Sequence, residues 1–276
     1  MEYRPWKWVN PPINPQPGVV HKTYLSQAMG HDVGYSIYLP PDYEHSSRRY
    51  PVVYWLHGLN NCESTDYFPA KFLTQGIETG ELPPMILVYP NGWWCSFYSD
   101  SSDGQVLTET TIITELIPHI DRTYRTIPTR EARAIQGMSM GGFGALKLAF
   151  KYVDMFSSVV AFAPALVTVQ RMLEHTPEIL QMIFGGDGEL FEQNSPRRWA
   201  KQHAEIIRRT LPIWIICGSE DGLLPTNEAM DRLLDELQIP HKLELIPGIA
   251  HNLPALAEAI QTRGFAFAAR AFRLPE

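Results

Sequence analysis

The sequence predicts a doubly wound α/β protein built on a mostly parallel sheet, and three observations carry that prediction. Short unbroken apolar runs alternate with stretches of helical periodicity along most of the chain. Two segments of alternating hydrophobicity near the start read as an antiparallel hairpin. Midway, Gly137-Met138-Ser139-Met140-Gly141 has the G-x-S-x-G pattern of a sharp turn between a buried strand and a helix.

Residues 1–18 carry five prolines between Pro5 and Pro17 and read as an extended arm lying on the surface, with Trp6 and Trp8 as anchors. Residues 19–276 read as one domain. The hairpin comprises His21 to Ser26 and Val33 to Leu39, turning around Met29-Gly30-His31-Asp32. Pro51 to Leu56 is apolar throughout, as expected of a strand covered on both faces. A helix over Tyr67 to Glu78 precedes a strand over Met85 to Tyr89. Ile112, Ile113, Leu116, Ile117 and Ile120 are spaced for one helix over Thr110 to Tyr124.

Arg133 to Gln136 ends a strand at the serine turn, and Met140 to Lys151 continues as an Ala/Leu/Gly-faced helix. After a strand over Ser157 to Ala163, residues 164–211 hold helical pieces punctuated by Gly185-Gly186-Asp187-Gly188 and Asn194-Ser195-Pro196, which read as a lid-like insertion over the C-terminal edge of the sheet. The strand Pro212 to Cys217, the helix Thr226 to Gln238, the strand Lys242 to Ile246 and a helix over Pro254 to Phe272 complete the unit.

Composition excludes several classes of function. The 276 residues are 45% hydrophobic and 19% charged, which is ordinary for a globular protein with a sizeable core. A formal charge of -7 argues against nucleic acid or an anionic membrane as partner, since both need clustered Lys and Arg. Cys62, Cys95 and Cys217 are scattered and odd in number, so neither a disulfide framework nor a zinc site is expected. The start lacks an apolar signal-peptide core, and no run approaches the roughly 18 apolar residues of a membrane span. The expected location is cytoplasmic unless a leader has been removed, and a homo-oligomer is compatible with the sequence.

The chemistry centres on Ser139. A packing turn or a phosphate cradle is the bland alternative, but a dinucleotide fingerprint would want Gly at this position and an earlier place in the chain. A serine hydroxyl needs a base to take its proton, and the base needs an acid to hold its tautomer. In this architecture both follow the serine on loops after strands. His251, in Pro247-Gly248-Ile249-Ala250-His251-Asn252, lies between the last strand and the last helix, unlike the other eight of the nine histidines. The expected acid is Asp221, favoured by its loop position, with its neighbour Glu220 as the alternative; both lie on the loop after Cys217.

An oxyanion hole would combine the N–H of Met140, at the helix N-terminus, with that of Leu59 on the loop leaving Leu56. His57 reads as a structural histidine, with a second base as the alternative. Trp93, Trp94, Phe97 and Tyr98 follow a strand and emerge at the ligand-binding edge, so Trp93, Trp94 and Phe97 are candidate substrate contacts, with ordinary loop packing as the rival reading. Cys95 and Cys217 are expected to be inert.

Over roughly residues 20 to 270 the chain resembles the esterase D-like branch of the α/β hydrolases, which includes feruloyl and acetylxylan esterases, S-formylglutathione hydrolases and mycolyltransferases. The resemblance is carried by Tyr38-Leu39-Pro40-Pro41-Asp42-Tyr43, the Pro51-to-Gly58 strand and turn, Glu115-Leu116-Ile117-Pro118-His119-Ile120-Asp121, Gly137 to Gly142 and the Gly248-to-His251 turn. It implies the α/β-hydrolase fold and a serine-dependent carboxylic ester hydrolase using no metal or cofactor. It also implies Asp221 as the acid, through the family's Gly-x-x-Asp, and Leu59 with Met140 as oxyanion donors. Cell-wall-acting members usually carry a secretion signal and often a carbohydrate-binding module. This chain shows neither, so small feruloyl or acetyl esters are the expected substrates, with an acyl acceptor or a glutathione thioester as the alternative. A binding protein on the same scaffold would be expected to lack a member of the triad.

Overall fold

The computed structural model describes residues 6–14 and 16–274. Parts of the expected arm, Met1 to Pro5 and Pro15, lie outside the described residues, as do Pro275 and Glu276.

Eight strands form one sheet in the order β1-β2-β4-β3-β5-β6-β7-β8. The hairpin strands β1 (Val19–Ser26) and β2 (His31–Tyr38) are antiparallel to each other, and β2 is antiparallel to β4 (Ile86–Pro90). The remaining neighbours are parallel: β3 (Val52–Leu56), β5 (Arg133–Met138), β6 (Ser158–Phe162), β7 (Ile213–Gly218) and β8 (Lys242–Ile246). Every residue of β3 to β7 is buried, which is why these strands read as continuous apolar runs rather than alternating ones. Only the outermost parallel strand, β8, shows a partly exposed pattern.

Alternation along each strand divides the core in two. Tyr54, Leu56, Ile135 and Val159 face one layer, and Val53, Trp55, Ala134 and Val160 face the other. The second layer is filled by α1 (Phe68–Glu78), contributing Phe72 and Leu73, and by the C-terminal helices described below. The helical stretch after β4 is continuous in space but not in hydrogen bonding. It begins as α2 (Thr108–Thr110), widens to a π-helical segment over Thr111–Leu116, and ends as α3 (Ile117–Thr123). Ile117 N–H reaches the Ile112 carbonyl, an i−5 bond, and Pro118 one residue on has no N–H to restore the α pattern. A single uninterrupted helix was the sequence expectation; proline supplies the difference.

α4 (Met140–Lys151) follows β5 directly, and all its residues from Met140 to Phe150 are buried. The segment 164–211 contains no strand and folds as α5 (Val169–His175), α6 (Pro177–Phe184), α7 (Gly188–Gln193), α8 (Pro196–Gln202) and α9 (Ala204–Thr210). Ile179, Ile183, Phe184, Phe191 and Ile207 belong to the same core as α4, so most of this segment thickens one face of the sheet. α10 (Leu224–Glu236) follows β7. The last helix expected from the sequence is two, α11 (Leu253–Ile260) and α12 (Arg263–Ala271), broken where Gln261 takes φ +51°.

The described part of the arm is tied to the body through its backbone and its tryptophans. Gly34 N–H donates to the Trp8 carbonyl at 2.6 Å, and Trp6 Nε1–H donates to the Asn60 carbonyl at 2.8 Å. Buried Glu63 accepts from Asn10 N–H, Asn10 Nδ2 and Asn91 Nδ2 at 2.8, 3.0 and 2.8 Å, joining arm and body at one carboxylate.

A second buried ionic group lies under α4. Lys147 Nζ, with no exposed side-chain surface, sits 2.6 Å from Glu109 Oε2 and donates to Tyr98 O and Ser99 Oγ at 2.9 and 2.6 Å. Lys151 and the Tyr152 hydroxyl also donate to Glu109. Burial pushes the Glu109 carboxyl up, but the Lys147 charge and the three donors outweigh it and hold it at about 2. Glu109→Gln should lower the unfolding free energy by about 3–5 kcal/mol because it leaves the buried Lys147 charge without its counter-ion, and Lys147→Met should cost less because Lys151 still pairs with Glu109. The double variant should cost less than the sum, as read from urea titrations. Because the folded-state value is depressed, the Glu109 contribution is complete above the ordinary carboxylate range of about 4.3 and disappears as pH falls from there through about 2. Glu109→Gln should flatten that part of the stability profile.

Candidate active site

The turn between β5 and α4 holds Ser139 at φ +55°, ψ −116°, a conformation sparsely populated by residues with a side chain. The flanking glycines do not themselves have positive φ; they are required by crowding. A Cβ on Gly141 would lie 2.0 Å from the Leu56 carbonyl oxygen, and one on Gly137 would lie 2.4 Å from the Gly141 carbonyl oxygen. Three backbone bonds fix the turn: Ser139 N–H to Phe162 O at 2.9 Å, Ala165 N–H to Ser139 O at 2.8 Å, and Phe143 N–H to Ser139 O at 3.0 Å. Met140 is the first residue of α4, so its N–H has no acceptor within the helix.

The loops after β7 and β8 bring their side chains to this turn. His251 Nε2 is 3.0 Å from Ser139 Oγ, and His251 Nδ1 is 2.7 Å from Asp221 Oδ2. A carboxylate only accepts, so Nδ1 carries the hydrogen and Nε2 turns its lone pair to the hydroxyl. The other Asp221 oxygen accepts Leu223 N–H at 2.8 Å, and the side chain is wholly buried. Glu220 is exposed and takes no part in this chain of contacts. The two loops are joined by Glu220 N–H to Ile249 O at 3.0 Å and Ser219 N–H to Ile246 O at 2.9 Å. They run so close that a Cβ on Gly218 would sit 1.9 Å from the Ile249 oxygen.

On the other side of the serine runs the loop leaving β3. His57 is buried, and burial pulls its pKa down to about 4, so the ring is neutral at physiological pH. Its Nδ1–H donates to Gly58 O at 2.9 Å, and its Nε2 accepts Gly92 N–H at 2.9 Å. Both nitrogens are thus committed to holding two loops together, which leaves none to serve as a base. Asn60, at φ +59°, is clamped by its N–H to Trp94 O at 2.7 Å and by its carbonyl to Trp6. Asn61 Nδ2 donates to Asp66 at 3.0 Å, and burial raises the Asp66 carboxyl to about 6. Between these fixed points, Leu59 borders the same cleft as Ser139 and Met140.

That cleft has a volume of about 370 Å³, and its walls are largely apolar, with Leu59, Phe97, Ala165, Val167, Met172 and Leu223. Of the three aromatic residues expected to contact substrate, Phe97 borders it and Trp93 and Trp94 do not. The Trp93 ring packs against Trp8 at 4.9 Å between centroids, and Trp94 is buried in the core, its carbonyl holding Asn60. Positive φ at Trp93 and Phe97 turns successive side chains of this loop in different directions, a property the run of aromatics conceals. Arg171, Met172 and His175, which sequence reasoning did not single out, reach the cleft from α5. The only hint of them was the position of their segment after a strand end. Cys95 and Cys217 are buried, and burial pushes both thiols up to about 12. Among the described residues no group of three or more His, Cys, Asp or Glu is placed to hold a metal ion, and no helix is long and apolar enough to cross a membrane.

Backbone strain at Ser139 can be tested apart from its chemistry. Ser139→Gly and Ser139→Ala both delete the hydroxyl, but only glycine tolerates the dihedral angles without cost. Ser139→Gly should therefore exceed Ser139→Ala in unfolding free energy by about 1 kcal/mol, measured by denaturant titration.

The sequence profile of the Esterase family matches residues 26–253. An esterase of Mycobacterium tuberculosis is 36% identical over 148 residues, which is 51% of this chain and 31% of that protein. The S-formylglutathione hydrolase of Paracoccus denitrificans is 30% identical over 157 residues, 51% of this chain and 55% of that protein. The chain therefore spans about a third to about half the length of these relatives. Among solved structures, a ferulic acid esterase superposes with a TM-score of 0.79 at 25% identity, covering 92% of this chain and 98% of that one. An S-formylglutathione hydrolase from Agrobacterium tumefaciens superposes with a TM-score of 0.78 at 20% identity, covering 94% and 98%. The sheet order, with its antiparallel hairpin at one side and parallel strands beyond, is the α/β-hydrolase fold, and the chain belongs to the esterase family, on the side of it that resembles S-formylglutathione hydrolases and feruloyl esterases.

Proposed function

We propose that this protein is a serine esterase that works through an acyl-enzyme. The observation that carries the reading is the unbroken line from Ser139 Oγ through the His251 ring to buried Asp221, at 3.0 and 2.7 Å, opening onto an apolar cleft. In this reading Ser139 attacks the ester carbonyl while His251 takes its proton. The N–H groups of Leu59 and Met140 receive the charge that develops on the carbonyl oxygen, aided by the N-terminal dipole of α4. His251 then returns the proton to the leaving alcohol, and water repeats the sequence to release the acid. Asp221 holds the imidazole in the tautomer this requires and faces the positive charge the ring acquires.

The substrates proposed are small esters with an acetyl or feruloyl acyl group. Support comes from the walls of Leu59, Phe97, Val167 and Met172, which suit an apolar or flat acyl group, and from the likeness to a ferulic acid esterase. A second reading, cleavage of a glutathione thioester or transfer to another acceptor, is favoured by one feature. Arg171, on the cleft wall and donating to Gly222 O at 3.4 Å, offers a guanidinium suited to a carboxylate-bearing leaving group. The S-formylglutathione hydrolase of Paracoccus denitrificans among the relatives points the same way.

A panel of acetyl, butyryl and feruloyl esters with S-formylglutathione, run with and without competing alcohol and sugar acceptors, separates these readings. Ser139→Ala should lower kcat on nitrophenyl acetate by about four orders of magnitude or more and abolish labelling by a fluorophosphonate. Asp221→Asn should cost about three to four orders, with KM little changed, because it alters the histidine tautomer rather than the cleft. Full turnover by Ser139→Ala would disprove the mechanism.

A further inference from the structure

The edge of the sheet opposite Ser139 carries a cavity of about 540 Å³, where the turns leading into β5, β6, β7 and β8 meet the end of α12. Five arginines line it, Arg130, Arg208, Arg209, Arg270 and Arg273, with Glu131 the one carboxylate among its lining residues. Such a concentration of positive charge is unexpected in a chain whose formal charge is -7.

Ordinary structural roles account for three of the five. Arg130 donates from Nε to Val153 O at 2.9 Å and from Nη2 to Thr210 O at 2.7 Å. Arg208 donates to Gln238 O and Leu237 O, closing the carbonyl end of α10. Arg209 lies 3.7 Å from Glu205, one turn back on α9. Arg270 and Arg273 make no side-chain hydrogen bond or ion pair among the described residues, and both are exposed. The position of Arg270 in the last turn of α12 suits the helix dipole, but among the described residues no hydrogen bond uses its guanidinium. Arg273 is near enough to Arg130 for its charge to be felt there, against the opposite pull of Glu131 and Asp154. The fixed Arg130 and Arg208 forks still have N–H groups to offer, so the cavity presents anchored donors alongside unpaired ones.

We infer that this cavity binds a small, multiply charged oxyanion, at a site separate from the ester-cleaving cleft. Guanidinium forks take phosphate and carboxylate oxygens two at a time, and both chemistries suit the donors present. The volume is in the range of small-molecule sites, and Leu211, Pro212 and Pro240 give an apolar wall for the remainder of the ligand. The site does not depend on the proposed esterase mechanism; its test reads anion binding, and hydrolysis serves there only as a check of folding.

Titration calorimetry of the intact chain with inorganic pyrophosphate and, separately, citrate, at constant ionic strength, tests the inference. Saturable 1:1 binding of at least one anion is expected, weakened about tenfold or more in Arg270→Ala/Arg273→Ala. Arg273→Lys keeps the charge but loses the fork and should bind between wild type and the double variant. Tighter binding of pyrophosphate marks a phosphate ligand, and tighter binding of citrate a carboxylate one. Hydrolysis of nitrophenyl acetate should stay within about twofold in all three proteins, showing that each is folded. No saturable binding of either anion at millimolar concentration, or binding that neither variant weakens, would overturn the site.

Discussion

The structure depends on how closely the start of α4 approaches β3. Leu56 pairs with Gly137 across the sheet, and its carbonyl lies where a side chain on Gly141 would have to be. Only a chain without Cβ atoms at both positions lets the helix begin this deep in the sheet. That depth forces Ser139 to absorb the turn in its own dihedral angles, and so projects its hydroxyl beyond the strand ends. Strain of this kind costs on the order of 1–3 kcal/mol and persists only because the surroundings over-determine it. Here the constraint comes from three backbone hydrogen bonds at Ser139 and from the burial of α4 from Met140 to Phe150 behind it.

The parallel sheet does the rest of the positioning. Strands β5, β7 and β8 all end on the same side, so loops from distant parts of the chain leave the sheet side by side. The loops of β7 and β8 are then bonded to each other before either meets the serine, which makes the Asp221–His251 pair a preassembled unit. Asp221 is buried while the His251 side chain is 38% exposed, so the ring is oriented from behind and open to the cleft in front. The loop after β3 is secured differently, by side chains rather than by a neighbouring strand end. The His57 ring and the Asn60 N–H both bond the loop after β4, the Asn61 side chain bonds Asp66, and the arm reaches the loop leaving β3 through Trp6.

Two buried carboxylates organise the surroundings of the site. Glu63 gathers donors from the arm and from the loop after β4, and Glu109 joins α4 to the helical stretch around α2 through Lys147 and Lys151. Hydrogen bonds to a charged group contribute about 1.5–3 kcal/mol each, more than neutral ones, but only where every partner is present. The segments that border Ser139 thus gain their rigidity from polar groups whose loss would be costly, while the apolar core supplies the bulk of the stability.

How much of this was legible in the chain follows from which interactions are local. The order of strands and helices could be read because covered strands need unbroken apolar runs and helices need a 3.6-residue spacing, both properties of short windows. The G-x-S-x-G turn was legible for the same reason: its glycines answer a collision between residues four apart and the strand alongside. Local pattern missed the π-helical segment, where Pro118 shifts the hydrogen bonding, and the break at Gln261. It favoured Asp221 over Glu220 from loop position and resemblance but could not show the choice, because adjacent residues on one loop differ only in which faces the interior. It also put Trp93 and Trp94 in the cleft with Phe97, since aromatic content does not specify direction when dihedral angles change sign from residue to residue. By itself, then, the sequence determined the fold class, the chain order of serine, acid and histidine loops, and the place of the turn, all set by short-range sterics and periodicity. Tertiary packing alone decided which carboxylate meets the imidazole, which side chains wall the cleft, and that five arginines scattered between positions 130 and 273 share one cavity, because those are facts about distances between residues far apart along the chain.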